Sequence, residues 1–251
     1  MTNTRLSLEI AAVTHRGCVR ARNDDTVAVN TWRCSDTMPT PLSTRLPMDR
    51  PHVMLVCDGM GGQPGGSVAS LAAVESLAES IPLCKEEVEV ANRIEETSVM
   101  LNSVATKDAA LQWMGTTVAG LLITPSKCIW FNVGDSSVYR FRNYLIKLSH
   151  DDSPSGQRTG AVLQALGGTS QVMAIDPHVG PDRIASGISY LICSDGLTDA
   201  VSIDEIEAEM HGKAHDIVDR LLNLSLTADA HDNVSIIVVH VISEGEDFSN
   251  D

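Results

Sequence analysis

Residues 116–148 hold four short strand-like segments, 116–123, 127–133, 137–141 and 145–148, with only a few residues between neighbours. A parallel pair needs a crossover of a dozen or more residues, so this spacing predicts antiparallel hairpins. Further strands are expected over 6–14, 26–32, 53–57, 188–193 and 234–242. The last is apolar on both faces and belongs in the middle of a sheet. A helix is expected over 64–80, with Pro64 in its first turn and Val68, Leu71, Val74, Ala78 and Ile81 as its buried stripe. Others are expected over 85–106, after the Ser202/Glu205 capping box, and over 214–226, burying Ile217, Val218, Leu221 and Leu222. Residues 33–51, with Pro39, Pro41, Pro47 and Pro51, read as one long loop. Strands that mostly neighbour each other, with helices to cover them, define an α+β class of antiparallel layers flanked by helices.

The 251 residues can bury one sizeable core, and residues 1–242 read as a single domain followed by an acidic tail, 243–251, expected to be disordered. Aromatic residues are only 4%, so that core must come from Ala, Val, Leu, Ile and Met. A net charge of -15 repels phosphate backbones and anionic lipid, so neither nucleic acid nor membrane is expected as a partner. Residues 109–126 lack charge but contain Gln112, Gly115 and Pro125, which suits a buried strand better than a membrane span. Arg5, Glu9 and His15 interrupt any signal-peptide core. The six cysteines form no CxxC pair, and the chain reads as a reduced, cytoplasmic protein.

Three aspartates carry the chemistry. Asp58 follows the run Val53-Met54-Leu55-Val56-Cys57, Asp195 follows the strand ending at Cys193, and Asp232 precedes the last strand. If that last strand runs antiparallel to the other two, the carboxylates gather at one end of the sheet. Carboxylates packed together repel unless a cation holds them, and oxygen donors favour Mg²⁺ or Mn²⁺. The bland alternative is that each Asp caps a turn. The turn at residues 58–67 is glycine-rich, but Ser67 stands where a phosphate-binding loop needs Lys, and Pro64 breaks a GxGxxG pattern. Its glycines better suit backbone carbonyls approaching a metal. Arg16, Arg20 and Arg22 precede Asn23-Asp24-Asp25 and could bind a phosphate dianion or form a surface ion-pair network.

In order along the chain stand Gly17-Cys18-Val19-Arg20-Ala21-Arg22-Asn23-Asp24-Asp25, Asp58-Gly59-Met60-Gly61-Gly62, Gly115-Thr116-Thr117, Asn132-Val133-Gly134-Asp135-Ser136, Ala165-Leu166-Gly167-Gly168, Cys193-Ser194-Asp195-Gly196-Leu197-Thr198-Asp199 and Asp232-Asn233. This series resembles the bacterial metal-dependent Ser/Thr protein phosphatases of the PP2C (PPM) family. The resemblance implies a four-layer α-β-β-α sandwich with two central antiparallel sheets. It implies hydrolysis of phospho-Ser/Thr by metal-activated water, with phosphorylated proteins, a cognate bacterial Ser/Thr kinase and that kinase's targets as partners. It implies that Asp58 bridges two Mn²⁺ or Mg²⁺ ions, that the Gly59 carbonyl serves one, and that Asp195 and Asp232 serve the other. Asp25 would act through water, Asp135 with Asp195 would hold a third, weaker ion, and Arg20 would grip the phosphate.

The chain departs from the family pattern at several places. Gln63 stands where many relatives carry a His that protonates the leaving oxygen, and an amide cannot take that role near neutrality. His15, near the Arg cluster, is a replacement acid if it is not simply structural. An Arg is lost at Ser137, the usual D-H-S is Asp151-Asp152-Ser153, and the stretch 153–166 is short. His211 and His215 could share a helix face, where a solvated surface is favoured over zinc. A PP2C-like binding module with little turnover and a nucleotide-binding ATPase are the competing functional readings.

Overall fold

The computed structural model describes residues 5–60, 65–154, 162–169 and 173–243. The strands and helices follow in the order β1 (Leu6–His15), β2 (Thr26–Val29), β3 (Trp32–Cys34), β4 (Leu42–Pro47), β5 (His52–Cys57), β6 (Gly59–Met60), α1 (Gly65–Ser80), α2 (Glu87–Ala105), β7 (Gly115–Thr116), β8 (Val118–Ile123), β9 (Cys128–Val133), β10 (Ser137–Phe141), β11 (Leu145–Lys147), β12 (Leu166–Gly167), β13 (His178–Asp182), β14 (Ser189–Cys193), α3 (Asp195–Ala200), α4 (Ile203–Glu209), α5 (Ala214–Thr227) and β15 (Val234–Ser243). One 6-stranded sheet has the order β11-β10-β14-β15-β1-β4, another has β13-β9-β8-β5-β2-β3, and a small sheet β12-β7-β6 joins the turns between. Every strand pair is antiparallel, as the short gaps demanded.

Side chains alternate across each strand, so a strand buried on both faces feeds two cores. On β1, Leu8, Ile10 and Ala12 point between the two large sheets, where they meet Val27, Met54, Val56 and Leu121 of the facing sheet. Ala11 and Val13 point the other way and pack with Ile217, Val218 and Leu221 of α5. On β5, Val53 and Leu55 pack against Ala69, Ala73 and Leu77 of α1 and Ile94 and Leu101 of α2. The result is helix, sheet, sheet, helix, with cores in the three interlayer spaces and β15 central in its sheet, as its two apolar faces required.

The structure corrects several expectations. The strand expected over 26–32 is a hairpin, because Asn30 turns the chain with φ 54. The expected loop 33–51 contains β4, which pairs with β1 as the sheet's edge, where a terminal Pro47 costs no ladder bond. In α1 the buried stripe is Ala69, Ala73, Val74 and Leu77, with Leu71 only half-buried. Small alanines let this helix lie close to β5, so the expected stripe is buried at Val74 and Ile81 but misses Ala69, Ala73 and Leu77. The expected strand 116–123 breaks at Thr117, whose N–H bonds to Asp58 O at 2.9 Å instead of continuing the ladder. Leu222 is half-buried, and α3 and β13 were not expected. The Ser202/Glu205 capping box is present, with Glu205 N–H on Ser202 Oγ at 3.4 Å and Ser202 N–H on Glu205 Oε2 at 3.1 Å. Among the described residues no helix is long and apolar enough to cross a membrane. Gln63, residues 155–161 of the shortened stretch and residues 244–251 of the tail lie outside the described residues.

Candidate active site

The three aspartates do meet, but from two sheets rather than one. Asp58 leaves β5 in one sheet, while Asp195 follows β14 and Asp232 precedes β15 in the other. They face a cavity of about 290 Å³ lined by Arg20, Asp24, Asp58, Gly59, Met60, Thr117, Asp135, Val162, Asp195, Asp232 and Asn233. Of the expected site residues, only Asp25 is off this wall. It is fully buried, and its charge acts on Asp58 and Asp195.

Hydroxyl groups hold Asp58 by its backbone and Asp25 by its carboxylate. Asp58 is fixed by Thr117, which offers its Oγ1 to Asp58 N–H at 3.1 Å, and its carbonyl accepts from Thr116 Oγ1 at 2.8 Å. This is the physical role of the Gly115-Thr116-Thr117 motif, whose residues the sequence reading quoted without a task. Asp25 Oδ2 accepts from Ser194 Oγ at 2.8 Å and Ser235 Oγ at 2.6 Å. Ser235 Oγ is in turn 2.8 Å from Thr14 Oγ1, which accepts from Asn23 Nδ2 at 2.7 Å. Asn233 ties the arginine loop down. Its Nδ2 donates to Arg16 O and Arg22 O at 3.0 and 2.9 Å, and its Oδ1 accepts Asp24 N–H at 2.8 Å. Ser235 was not expected at the site, and Ser194 and Asn233 stood in the quoted motifs without a task. Their only signal was position, beside Asp195 and Asp232.

The site is short of positive charge. Asp25 Oδ1 and Asp195 Oδ1 are buried with no hydrogen-bond partner among the described residues. An orphaned buried carboxylate oxygen is costly unless a cation or water meets it. Burial, then repulsion from Asp135, Asp232 and Asp25, pushes Asp195 up to about 7. Burial also raises Asp25 to about 6, against the hydrogen bonds from Ser235 and Ser194. Asp58 is driven well above the usual carboxylate range, first by burial and then by Asp25 and Asp195. Asp135 rises for the same first reason. Among the described residues, the guanidinium on this wall is that of Arg20, whose Nη2 lies 2.6 Å from Asp232 Oδ2, a bond that raises its already high pKa. Of the arginine cluster, Arg20 alone shows a side-chain ion pair among the described residues, so the network reading holds for that residue only.

Among the described residues no three His, Cys, Asp or Glu side chains converge on one point as a closed metal site does. The donors instead ring an open cavity, which fits hard ions that keep several waters and take one or two carboxylates each. All the side-chain donors are oxygens, the set that Mg²⁺ and Mn²⁺ prefer. The histidines stand elsewhere. His15 does not line the cavity: its Nδ1 accepts Gly17 N–H at 3.0 Å, and burial lowers its pKa. His211 and His215 do not share a helix face, because α4 ends at Glu209 and α5 begins at Ala214. His211 packs edge-on to Phe141 at 5.2 Å, and His215 sits 3.3 Å from Asp219.

A two-sheet sandwich with carboxylates and an arginine at one cavity defines a class of phosphoester hydrolases, and comparison with known proteins makes it specific. The chain belongs to the protein phosphatase 2C family, whose model matches residues 42–232. It is 27% identical to the serine/threonine phosphatase stp of Listeria monocytogenes, over 94% of this chain and 98% of that one. It is also 27% identical to the serine/threonine protein phosphatase PstP of Mycobacterium tuberculosis, over 96% of this chain and 46% of that longer one. The crystal structure of the Mycobacterium tuberculosis serine/threonine phosphatase PstP/Ppp superposes with a TM-score of 0.76 at 25% identity, covering 94% of this chain and 99% of that one. The catalytic domain of PstP in complex with two manganese ions superposes with a TM-score of 0.77 at 26% identity, covering 95% and 100%.

Proposed function

We propose that this chain is a metal-dependent protein serine/threonine phosphatase, hydrolysing phosphoserine and phosphothreonine esters with a metal-activated water. The observation that supports the reading is the pair of orphaned, buried carboxylate oxygens, Asp195 Oδ1 in the ring of like charges that shares a cavity with Arg20 and Asp25 Oδ1 off that wall. Two ions, Mn²⁺ or Mg²⁺, would be held by Asp58, the Gly59 carbonyl, Asp195 and Asp232, with Asp25 acting through water, and a third, weaker ion would be held by Asp135 with Asp195. Bound divalent ions supply a nucleophilic water at neutral pH and offset charge on the phosphoryl oxygens.

The chain's own residues supply placement. Arg20 spends one donor on Asp232, and its planar fork keeps others for the phosphoryl oxygens. Thr117 fixes the Asp58 backbone, and its Oγ1 also lies 2.7 Å from Ser136 Oγ, just before β10 of the other sheet. Asn233 keeps the arginine loop from swinging away as a phosphoester enters. No cysteine is needed as nucleophile, and Cys57 and Cys193 are buried in the core, with burial pushing Cys193 up to about 12. Residues 1–242 act as one catalytic domain in the cytoplasm, opposite a bacterial Ser/Thr kinase and on that kinase's targets.

The test is phosphate release from a phosphothreonine peptide with Mn²⁺ and with EDTA, for wild type and Asp195→Ala. Turnover with Mn²⁺ that EDTA and the substitution both abolish supports the reading. No turnover with any divalent ion, alongside tight binding of the peptide, would favour a phosphoprotein-binding module instead.

A further inference from the structure

Asp135 and Val162 stand on the wall of the same cavity, and one residue outside that wall bonds to the segments carrying both. Asp152 Oδ2 accepts Gly134 N–H at 2.9 Å, and Asp152 N–H returns a bond to Gly134 O at 3.0 Å. The Asp152 carbonyl accepts Leu163 N–H at 2.6 Å, next to Val162. Its other carboxylate oxygen, Oδ1, lies 2.8 Å from His178 Nε2, and the side chain is only 12% exposed.

We infer that Asp152 is a positioning residue, holding the Asp135 turn and the Val162 segment in register across the cavity. The inference rests on the phosphatase reading only for what those two walls do.

The surroundings leave the clamp little play. Gly134 has φ +97, and a Cβ there would fall 2.6 Å from Thr117 Cγ2, so the turn is already pressed on the residue that fixes Asp58. Asn132 braces the strand behind it, with Oδ1 on His150 N–H at 3.1 Å and Nδ2 on His150 O at 2.6 Å. On the far side, Gln164 bonds both ways to the Asp176 backbone, at 2.9 and 3.1 Å, which ties Leu163 to the segment leading into β13 and His178. His178 therefore fixes the rotamer of the carboxylate that fixes Gly134. Without the Asp152 carboxylate the Gly134 amide and His178 lose their partner, and only the backbone bonds of residue 152 to Gly134 O and Leu163 N–H are left to hold the two wall segments.

The test uses four variants of the full chain: Asp152→Ala, Asp152→Asn, Asp135→Asn and the double variant Asp135→Asn/Asp152→Ala. Amide exchange of the metal-free protein is read over residues 132–136. With Mn²⁺, kcat and KM are read on a phosphothreonine peptide. In Asp152→Ala, exchange at Gly134 is expected to rise about tenfold, the factor for one hydrogen bond to a charged group, and kcat to fall. Asp152→Asn keeps a carbonyl acceptor for Gly134 and is expected to rescue most of both losses. The double variant is expected to turn over no more slowly than Asp135→Asn alone, because Asp152 acts through Asp135. If Asp152→Ala does not fold, His178→Ala reports the same direction at smaller size. Unchanged exchange at Gly134, or losses that add in the double variant, would overturn the inference. Raised exchange in Asp152→Ala, together with a wild type that releases no phosphate, would leave the clamp standing and remove the phosphatase reading.

Discussion

Raising the pH of the metal-free protein should weaken it. Asp25 stands at about 6 and Asp195 at about 7, against an ordinary 3.8. Because the folded-state values lie above the unfolded ones, the folded chain keeps protons that the unfolded chain has released between about pH 4 and 7. Stability then falls as pH rises through that window and reaches its floor above about pH 7. At about 1.4 kcal/mol per pH unit of displacement, the two groups taken separately would cost roughly 3 and roughly 4 kcal/mol. Burial, the first cause for each, is not shared between them, so the two losses largely add, and about 3 kcal/mol of the total is expected to fall between pH 5.5 and pH 8. The assay is urea unfolding of EDTA-treated protein at pH 5.5 and pH 8. Mn²⁺ at about a hundred times its dissociation constant should return about 2.7 kcal/mol at pH 8. Asp25→Asn removes one buried charge and should flatten the pH slope. A metal-free protein at least as stable at pH 8 as at pH 5.5 would refute the reasoning, since the cluster would then be compensated from within.

Thr117→Val removes the hydroxyl that accepts Asp58 N–H and lies 2.7 Å from Ser136 Oγ. A loss of about 1–3 kcal/mol in chemical unfolding is expected, together with a lower kcat. Arg20→Ala should raise KM for a phosphopeptide and cut kcat/KM by about a hundredfold, with Arg20→Lys recovering only part, because an ammonium cannot serve Asp232 and a phosphoryl group as a planar fork does. Leu77→Ala, in the α1 face packed on β5, should cost about 2–5 kcal/mol in the same unfolding assay without moving KM.

Much of the fold was legible because apolar runs report burial directly. Val53-Met54-Leu55-Val56-Cys57 has no polar residue and lies between two cores, and the residues from Val234 to Ile242 fill the middle of a sheet. What escaped lay where burial is partial or the residues are small. Strand β4 half-buries only alternate residues at a sheet edge, and its Pro47, with Pro39 and Pro41 just before it, read as loop. Strand β13 carries Pro181, tolerable only because β13 is also an edge. The alanine face of α1 is invisible to a search for large side chains. At the site, Asp58, Asp195 and Asp232 were legible from their positions at strand ends. Their origin in two different sheets was not, because pairing partners depend on contacts far apart in sequence. The hydroxyls that hold the carboxylates were hidden for a related reason: Ser235 and Asp25 are joined across 210 positions at 2.6 Å.

The central claim is that the carboxylates gathered by the two sheets bind the ions on which hydrolysis depends. It is tested most directly by titrating Mn²⁺ into one metal-free sample while reading bound ions by calorimetry and phosphate release from a phosphothreonine peptide. The expected result is turnover that rises with the filling of two sites, both weakened in Asp58→Asn. Turnover in EDTA, or ions bound equally by Asp58→Asn and wild type, would contradict it.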